Sequence, residues 1–460
     1  MSNCFKDYKS YFLVGTGGAG MSAIAIVLKG MGYRVSGSDI KESRYVNLLR
    51  NEGIKIYIGH RKENIGGFDA VVYSTAIPCD NIEILAAKEK NIPIFSRSDI
   101  LAGILNNRKA IAVTGTHGKT TTTSMISLIF RGLDLDPTII IGGELNELGS
   151  NARFGEGDYV IAEACESDGS FLKYKPFIGV ITNIEEDHLD YYKSFENLSR
   201  SFIKFIENTK TGGLVVINGD EVEISDIIGR KDRKIIYYGI GKKNDIYAEN
   251  IKIFNFTSSY SLIIKKGNKK KKIDVKLNVP GIYNIKNSLA ALAVCYGMGM
   301  NMEKAVEILK FFTGIKRRFE KRGEKNGALI FDDYAHHPTE IKVTLEAANA
   351  EKRDRIITIF QPHRYTRLQN LYNKFNDCFN HSDIVVITDV YGAGEQPLPG
   401  ITGKLLLNNL IDDGFKNRIV YIPRLQDICA YLELNMREND IVLLMGAGDI
   451  TRVTEELLKN

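Results

Sequence analysis

The 460-residue chain has little proline and no long apolar run. Its 10 prolines and 42 glycines fit neither Pro-rich disorder nor a collagen-like repeat. No apolar run reaches the ~18 residues that a membrane span needs, so we expect no membrane insertion. The six cysteines form no Cys-x-x-Cys pair and indicate neither a zinc knuckle nor a disulfide framework. Because MSNCFKDYKS lacks signal-peptide anatomy, we expect a soluble protein of the reducing cytoplasm.

The net charge of +5 comes largely from one lysine cluster. Lys265, Lys266 and residues 269–272 place six lysines within eight positions, and without them the chain would be close to neutral. The cluster brackets Gly267 and Asn268 between two strand-like runs, which predicts a hairpin tip. A solvated tip is the favoured interpretation, with a polyanion-binding patch as the alternative. Because no aromatic residues interleave with the lysines, we expect no nucleic-acid partner.

Short apolar strands alternate with amphipathic helical stretches, a pattern typical of α/β layering over parallel sheets. Three segments begin in this way, which predicts three domains. We expect a Rossmann-like domain at 1–108, a central P-loop-type ATPase domain with a mostly parallel sheet at 109–314, and a Rossmann-like C-terminal domain at 315–460. The β-like stretch at 240–280 is expected to extend the central domain.

A first glycine-rich turn follows the strand-like YFLVG. Gly15, Gly17 and Gly20 form G-x-G-x-x-G, with Gly18 between them, where small residues let a pyrophosphate approach helix N–H groups. Asp39 ends the next strand, where an acid can bind a ribose hydroxyl. A merely tight strand–helix turn is the alternative, and the motif does not distinguish a dinucleotide from a nucleotide-diphosphate site.

A second loop carries a sharper phosphate-binding signal after the strand-like AIAVT. Its residues are Gly115, Thr116, His117, Gly118, Lys119, Thr120 and Thr121. The first glycine of a full Walker A motif would fall on Val113, but the functional half is intact. Lys119 can reach the β and γ phosphates, and the Thr120 hydroxyl can ligate Mg²⁺.

Two further strand ends supply candidate metal ligands. They carry Glu163, Glu166 and Asp168, and then Asp187 and His188. Mg²⁺ needs one or two protein ligands beside phosphate oxygens, so Glu166 and His188 suffice. An ordinary cap or surface carboxylate is the alternative for any one acid, and Glu185 and Glu186 are interpreted in that way.

Two histidine-rich segments follow strands in the last third of the chain. His336 and His337 are adjacent and cannot both face one metal from a regular element, so they are interpreted as polar lining of an active site. His363 precedes Arg364 and Arg367, whose spacing allows a clamp on a carboxylate or phosphate. A solvated helix start is the alternative for the two arginines.

Together these segments resemble the Mur ligases, ATP-dependent amide-forming enzymes of bacterial peptidoglycan synthesis. The resemblance covers essentially the whole chain and rests on GTGGAGM, TGTHGKTTTT, EACESDGSF, TNIEEDHLD, NVPGIYNIKNSLAA, GIKRRFE, DDYAHHPTE and FQPHRYTR. The shortened G-T-H-G-K-T-T loop is that family's form of the phosphate loop. FQPHRYTR after DDYAHHPTE indicates the member that adds alanine. Tyr283 stands before Asn284 where the family more often has His.

The resemblance implies a substrate for each domain. The N-terminal domain would hold UDP-N-acetylmuramate through residues 15–20 and Asp39, with Ser74 and Thr75 nearby. The central domain would hold Mg²⁺ and ATP through residues 115–121, with Thr120, Glu166 and His188 as metal ligands and Asn284, Asn287 and Arg318 at the nucleotide. The C-terminal domain would help to hold L-alanine through His336, His337, His363, Arg364 and Arg367.

The implied reaction activates the lactyl carboxylate as an acyl phosphate, which the alanine amine then attacks. Lys119, Glu166 and His188 would serve it, with His337 or His336 as the base. Replacing Lys119 by Ala should leave folding intact but lower turnover about 10³-fold. A sibling ligase adding a recycled peptide or another amino acid, an NAD(P)-dependent dehydrogenase, and a nucleotide-binding scaffold remain alternatives. We expect a monomer or a weak homodimer.

Overall fold

The computed structural model describes residues 7–220 and 233–459, which contain three sheets. The first six residues, part of the segment examined for a signal peptide, lie outside this description. The described chain forms two compact units, one of Met1–Ile251, Ser259–Leu277 and Asn284–Thr313, the other of Lys252–Ser258, Asn278–Tyr283 and Gly314–Asn460. Among the described residues, no helix combines the length and apolarity needed to cross a bilayer.

The N-terminal sheet has five parallel strands in the order β3-β2-β1-β4-β5. Its strands are β1 (Ser10–Val14), β2 (Arg34–Asp39), β3 (Lys55–Ile58), β4 (Ala70–Tyr73) and β5 (Ile94–Ser96). Its helices are α1 (Ala19–Gly30), α2 (Arg44–Asn51), α3 (Ile82–Glu89) and α4 (Arg97–Asn106). Tyr11 and Leu13 of β1 enter one core cluster and Phe12 and Val14 another, so residues 11–14 are buried on both faces of the sheet. The strand order reverses at β1, where ligands of open α/β sheets bind.

The central sheet has ten strands in the order β15-β14-β13-β12-β11-β10-β6-β9-β7-β8. They are β6 (Lys109–Thr114), β7 (Thr138–Leu145), β8 (Ser150–Arg153), β9 (Tyr159–Glu163), β10 (Ile178–Ile181), β11 (Leu214–Asn218), β12 (Lys234–Gly239), β13 (Ile246–Phe254), β14 (Thr257–Lys266) and β15 (Lys269–Leu277). The helices are α5 (Lys119–Gly132), α6 (Leu189–Tyr192), α7 (Phe195–Asn208), α8 (Ile282–Gly297) and α9 (Met302–Leu309). Parallel pairing of β10, β6 and β9 brings their carboxyl ends together.

Two features of this unit bear on the sequence predictions. The lysine cluster lies on the predicted hairpin β14–β15, and Lys271 pairs with Glu303 at 2.7 Å. Helix α1 buries eight consecutive residues, 21–28, because the antiparallel hairpin β7–β8 packs against it beside its own sheet.

The C-terminal sheet has the order β16-β17-β21-β18-β19-β20, parallel except for β16 against β17. The strands are β16 (Glu320–Lys325), β17 (Ala328–Asp333), β18 (Arg355–Phe360), β19 (Ile384–Ile387), β20 (Arg418–Tyr421) and β21 (Asp440–Met445). The helices are α10 (Pro338–Asn349), α11 (Tyr365–Leu371), α12 (Gly403–Asp412), α13 (Gln426–Asn435) and α14 (Thr451–Lys459). Three mostly parallel sheets with helices confirm the predicted α/β class.

Candidate active site

The glycine loop between β1 and α1 is held by the end of β2. The amides of Gly15 and Thr16 donate to the carbonyl oxygen of Ser38 at 2.9 and 3.0 Å. The Gly17 amide donates to Asp39 Oδ2 at 2.6 Å, and a Cβ on Gly17 would lie 2.7 Å from that oxygen. A side chain at this position would therefore displace the Asp39 carboxylate. Asp39, interpreted from the sequence as a ribose ligand, uses this oxygen to shape the loop.

The other predicted residues of this site flank the same loop. Open space surrounds the Cα of Gly18 where a Cβ would stand, so the loop is accessible there. A Cβ on Gly20 would lie 2.7 Å from the guanidinium of Arg97, a cation that the sequence analysis missed. The Ser74 amide donates to the carbonyl of the last residue of β1 at 3.2 Å, and Thr75 follows it. The end of β4 therefore lies beside the loop.

The phosphate loop between β6 and α5 contains two glycines in left-handed backbone conformations. Gly115 has φ +134°, and its Cβ would lie 2.1 Å from Thr182 Oγ1. Gly118 has φ +80°, and its Cβ would lie 2.4 Å from Asn287 Oδ1. Both the conformation and the close approach exclude a side chain. A side chain at either position would crowd the start of α5, where the amides of a helix N-terminus can bind phosphate.

The segment after β10 fixes the middle of the phosphate loop. Asn183 accepts the Thr116 amide through its carbonyl oxygen at 3.2 Å and the His117 amide through Oδ1 at 2.8 Å. The Thr116 hydroxyl accepts the Glu185 amide at 2.9 Å, and Glu185 Oε2 lies 3.6 Å from His117 Nε2. Glu185, interpreted as an ordinary surface acid, thus lies against the loop.

Lys119 lies inside the phosphate loop with its charge compensated. Its Nζ donates to the carbonyl oxygens of Gly115 and Thr116 at 2.6 and 3.0 Å and to Glu166 Oε1 at 2.9 Å. Burial opposes the charged form, but Glu166, together with Cys165 and Glu163, outweighs it and holds the pKa of Lys119 above its ordinary value. The ammonium is therefore permanent, and its three N–H donors are committed to these three acceptors.

The predicted metal ligands gather beside Lys119. Glu166 is buried, and its Oε2 has no hydrogen-bond partner among the described residues. His188 Nε2 lies 3.9 Å from Glu166 Oε1, and the Thr120 hydroxyl donates to Glu163 Oε2 at 3.0 Å. An orphaned buried carboxylate oxygen with a hydroxyl and a second carboxylate nearby fits Mg²⁺, which prefers oxygen ligands.

One of the two predicted asparagines of α8 contacts the helix that follows the loop. The Thr122 hydroxyl donates to Asn287 Oδ1 at 3.2 Å, so Asn287 supports the loop from behind. Asn284, one turn earlier on α8, is buried, as is Thr121 in the first turn of α5.

In the C-terminal unit, the two adjacent histidines take different proton arrangements. His336 Nδ1 lies 2.9 Å from the Tyr334 carbonyl oxygen and 3.3 Å from Glu340 Oε2, both acceptors, so Nδ1 carries the proton and Nε2 accepts. His337 caps α10, and its Nδ1 accepts the Thr339 amide at 3.3 Å. The neutral His337 ring therefore carries its proton on Nε2.

Burial lowers the pKa of His336 to about 3 despite the Glu340 carboxylate, so this ring is neutral near neutral pH. Arg318 also approaches that carboxylate, with Nη1 3.4 Å from Glu340 Oε1. The ring of His363 lies 5.8 Å from that of His336. These residues form one polar cluster at the ends of β17 and β18, the two strands that flank β21.

The two arginines after β18 have separate partners. Arg364 Nε donates to Glu395 Oε1 at 2.5 Å, whereas Arg367 Nη1 lies 3.1 Å from His363 Nδ1. Burial and the charges of Arg367 and Arg364 lower the pKa of His363 to about 4. In this structure Glu395 binds Arg364, and the joint clamp of the two arginines on one anion stays a prediction.

The structure thus collects the phosphate-loop candidates in one unit and the histidine and arginine candidates in the other. Sequence reasoning missed Asn183 and Glu395 and did not choose Glu163 as a ligand. Their partners lie 66, 31 and 43 residues away in the chain. Glu163 ends β9 and Asn183 follows β10 by two residues, so a polar residue at a strand end is their sequence signal. Glu395 lies eight residues after β19 and has no such signal.

Three family models match successive parts of the chain. They are the Mur ligase family, catalytic domain at residues 11–109, the Mur ligase middle domain at 113–295, and the Mur ligase, glutamate ligase domain at 317–448.

Curated relatives match nearly the full length. The UDP-N-acetylmuramate–L-alanine ligase of Pelotomaculum thermopropionicum is 43% identical over 97% of this chain and 96% of the relative. That of Desulforamulus reducens is 44% identical over 99% and 98%. The crystal structure of UDP-N-acetylmuramate-alanine ligase from Thermotoga maritima has a TM-score of 0.83 at 30% identity, covering 98% of both chains. Given these matches along nearly its whole length, the chain belongs to the Mur ligase family.

Proposed function

We propose that this chain is an ATP-dependent ligase that joins L-alanine to the lactyl carboxylate of UDP-N-acetylmuramate in peptidoglycan precursor synthesis. The observation that carries the proposal is the match of 97–99% of the chain, at 43–44% identity, to relatives named for this activity. The buried Lys119–Glu166 pair in the phosphate loop supports it, because the pair holds the Lys119 ammonium where a nucleoside triphosphate would bind.

We assign one ligand to each part of the chain, with boundaries after residues 108 and 314. Residues 15–20, with Asp39, Ser74 and Thr75, hold the UDP-sugar. Residues 115–121, with Asn284, Asn287 and Arg318, hold ATP. The protein acts in the cytoplasm as a monomer or a weak homodimer.

The chemistry must first activate a carboxylate, which is a poor electrophile. A lactyl oxygen attacks the γ-phosphorus of ATP, the bond to ADP breaks, and an acyl phosphate forms. The alanine amine, in its neutral form, then attacks the carbonyl carbon. The tetrahedral adduct expels phosphate, which leaves as hydrogen phosphate with the proton that the nitrogen loses. Lys119 lies where it neutralises phosphate charge, so positioning and electrostatics supply most of the rate. Thr120, Glu166 and His188 would hold Mg²⁺, which would supply Lewis-acid stabilisation of phosphate oxygens when bound.

The histidines of the C-terminal unit serve alanine in a way that differs from the sequence expectation. A ring with a pKa of about 3 is a weak base, so His336 accepts a hydrogen bond from the ammonium through Nε2 rather than removing its proton. His337 carries its proton on Nε2 and acts as a donor. His363, Arg364 and Arg367 complete the pocket, with Arg367 at the alanine carboxylate.

The decisive experiment measures phosphate release with Mg-ATP and UDP-N-acetylmuramate against L-Ala, D-Ala, Gly, L-Ser, D-Glu and the tripeptide L-Ala-γ-D-Glu-diaminopimelate. Release that needs both substrates and is fastest with L-Ala is the expected result. Preference for the tripeptide would make the chain a recycling ligase instead. If folded protein that still binds ATP releases no phosphate with any member of the panel, the ligase function is overturned.

A further inference from the structure

A fully buried carboxylate lies at the edge of the N-terminal sheet where the glycine loop begins. Glu83, on α3, has no exposed surface. Its Oε2 accepts the Ser38 hydroxyl at 2.6 Å and lies 2.7 Å from His60 Nδ1. Its Oε1 accepts the Asn64 side-chain amide at 2.6 Å and the Arg61 backbone amide at 3.3 Å. Four groups from two neighbouring chain segments therefore converge on one side chain.

The hydrogen-bond pattern fixes the protons of this cluster. The Ser38 hydroxyl has one proton, which is committed to Glu83, and an ionised carboxylate only accepts. His60 Nδ1 also lies 3.1 Å from Ser38 Oγ. An Nδ1 without a proton would face the lone pairs of both Glu83 and Ser38, so Nδ1 carries the proton. The His60 ring is therefore held in the Nδ1–H form by Glu83.

The same serine organises the glycine loop from its backbone side. The Ser38 carbonyl oxygen accepts the amides of Gly15 and Thr16 and, at 3.1 Å, the Thr16 hydroxyl. The next residue, Asp39, accepts the Gly17 amide. Residues 38 and 39 therefore accept all of these hydrogen bonds from the loop, and the Ser38 side chain in turn donates to Glu83.

We propose that Glu83 is a positioning residue for the UDP-sugar: it touches no substrate, but it fixes the end of β2 and thereby the amides that the glycine loop presents to the diphosphate. This role rests on the function proposed above. Removing the charge leaves donors without an acceptor in a buried site, which shifts Ser38 and the loop with it. The phosphate loop, which has its own supports, keeps its geometry.

The test is Glu83→Gln, which keeps the shape, with Glu89→Gln as the matched control on the exposed end of the same helix. By calorimetry we expect the Kd for UDP-N-acetylmuramate to rise at least 10-fold in Glu83→Gln and the Kd for Mg-ATP to change less than 2-fold. In turnover, the KM for the UDP-sugar rises while kcat at saturation stays within 3-fold. ¹⁵N NMR should show the Nδ1–H form of His60 in the wild type and its loss in Glu83→Gln.

Equal UDP-sugar affinity in Glu83→Gln and wild type would overturn this role alone, as would a parallel loss of UDP-sugar and ATP affinity. If Glu83→Gln does not fold, Ser38→Ala decides, since it removes only the side-chain link: a raised Kd for the UDP-sugar supports the role, and an unchanged Kd overturns it. A folded wild type without affinity for the UDP-sugar would overturn the proposed function, and this role with it.

Discussion

Replacing Lys119 by Met should lower the stability of the protein, because it leaves Glu166 as an uncompensated buried charge in the phosphate loop. The side chains of Lys119 and Glu166 are 13% and 2% exposed. Removing the ammonium deprives Glu166 Oε1 of its partner, while Oε2 already has none. Breaking a buried ion pair from one side costs about 3–5 kcal/mol, and we expect that loss of stability around α5. The sequence alone suggested an intact fold for such a variant.

The double variant Lys119→Met/Glu166→Gln separates stability from activity. It removes both charges, so we expect stability to return to within about 1 kcal/mol of wild type. Phosphate release should nevertheless stay at least about 10³-fold below wild type in both variants, because both lack the Lys119 ammonium that neutralises phosphate charge. Lys109→Met is the control, since its pair with Asp158 is exposed and should contribute nothing measurable.

Hydrogen–deuterium exchange of peptides from α5 measures the local stability, and phosphate release measures activity. Unchanged exchange in Lys119→Met would refute the argument from the buried charge. Failure of Glu166→Gln to rescue stability would show that Lys119 acts through its carbonyl contacts instead. Near-normal phosphate release in Lys119→Met would remove the phosphate-loop assignment.

Three other variants or conditions test separate parts of the site. Gly115→Ala adds a Cβ 2.1 Å from Thr182 Oγ1 at φ +134°, and this strain of about 1–3 kcal/mol should raise the KM for ATP at least about 10-fold; an unchanged KM contradicts the loop geometry. Arg367→Ala should raise the KM for L-alanine more than that for ATP, and equal effects would move the amino-acid site elsewhere. Because burial lowers the pKa values of His336 and His363 to about 3 and 4, from 6.5 when unfolded, the folded form binds fewer protons. Stability should therefore fall as pH drops below 6.5, by roughly 1–2 kcal/mol per ring at pH 5, and urea denaturation of His336→Gln should show a smaller loss.

The loops and their flanking elements were predictable because their signals are local. The apolar strand, the glycines and the following helix occupy about 20 consecutive residues in each case, and both residues 15–20 and residues 115–121 lie where the pattern indicates. The hairpin carrying the lysine cluster was predictable for the same reason, since Gly267 and Asn268 separate two β-like runs.

The partners of the charged residues were not predictable, because they depend on how distant strands align. The spacing of Arg364 and Arg367 suggests one clamp, yet Arg364 has φ +67° at the start of α11 and pairs with Glu395, 31 residues away. Asp39 has the position of a ribose ligand, but the close approach of Gly17 turns one oxygen toward the loop. The spacing of residues in the sequence predicts neither the backbone conformation of Arg364 nor the close approach of Gly17 to Asp39.

The burial of α1 on all sides has a consequence for synthesis of the chain on the ribosome. Residues 21–28 are covered partly by β7–β8, which ends at Arg153, more than 120 residues after the helix. At a synthesis rate of ~5–20 residues per second, the apolar surface of α1 stays exposed for roughly 6–25 s before β7–β8 has been made. The glycine-loop helix therefore becomes native only with the central sheet, and a fragment cut after residue 108 should be aggregation-prone and a client for chaperones.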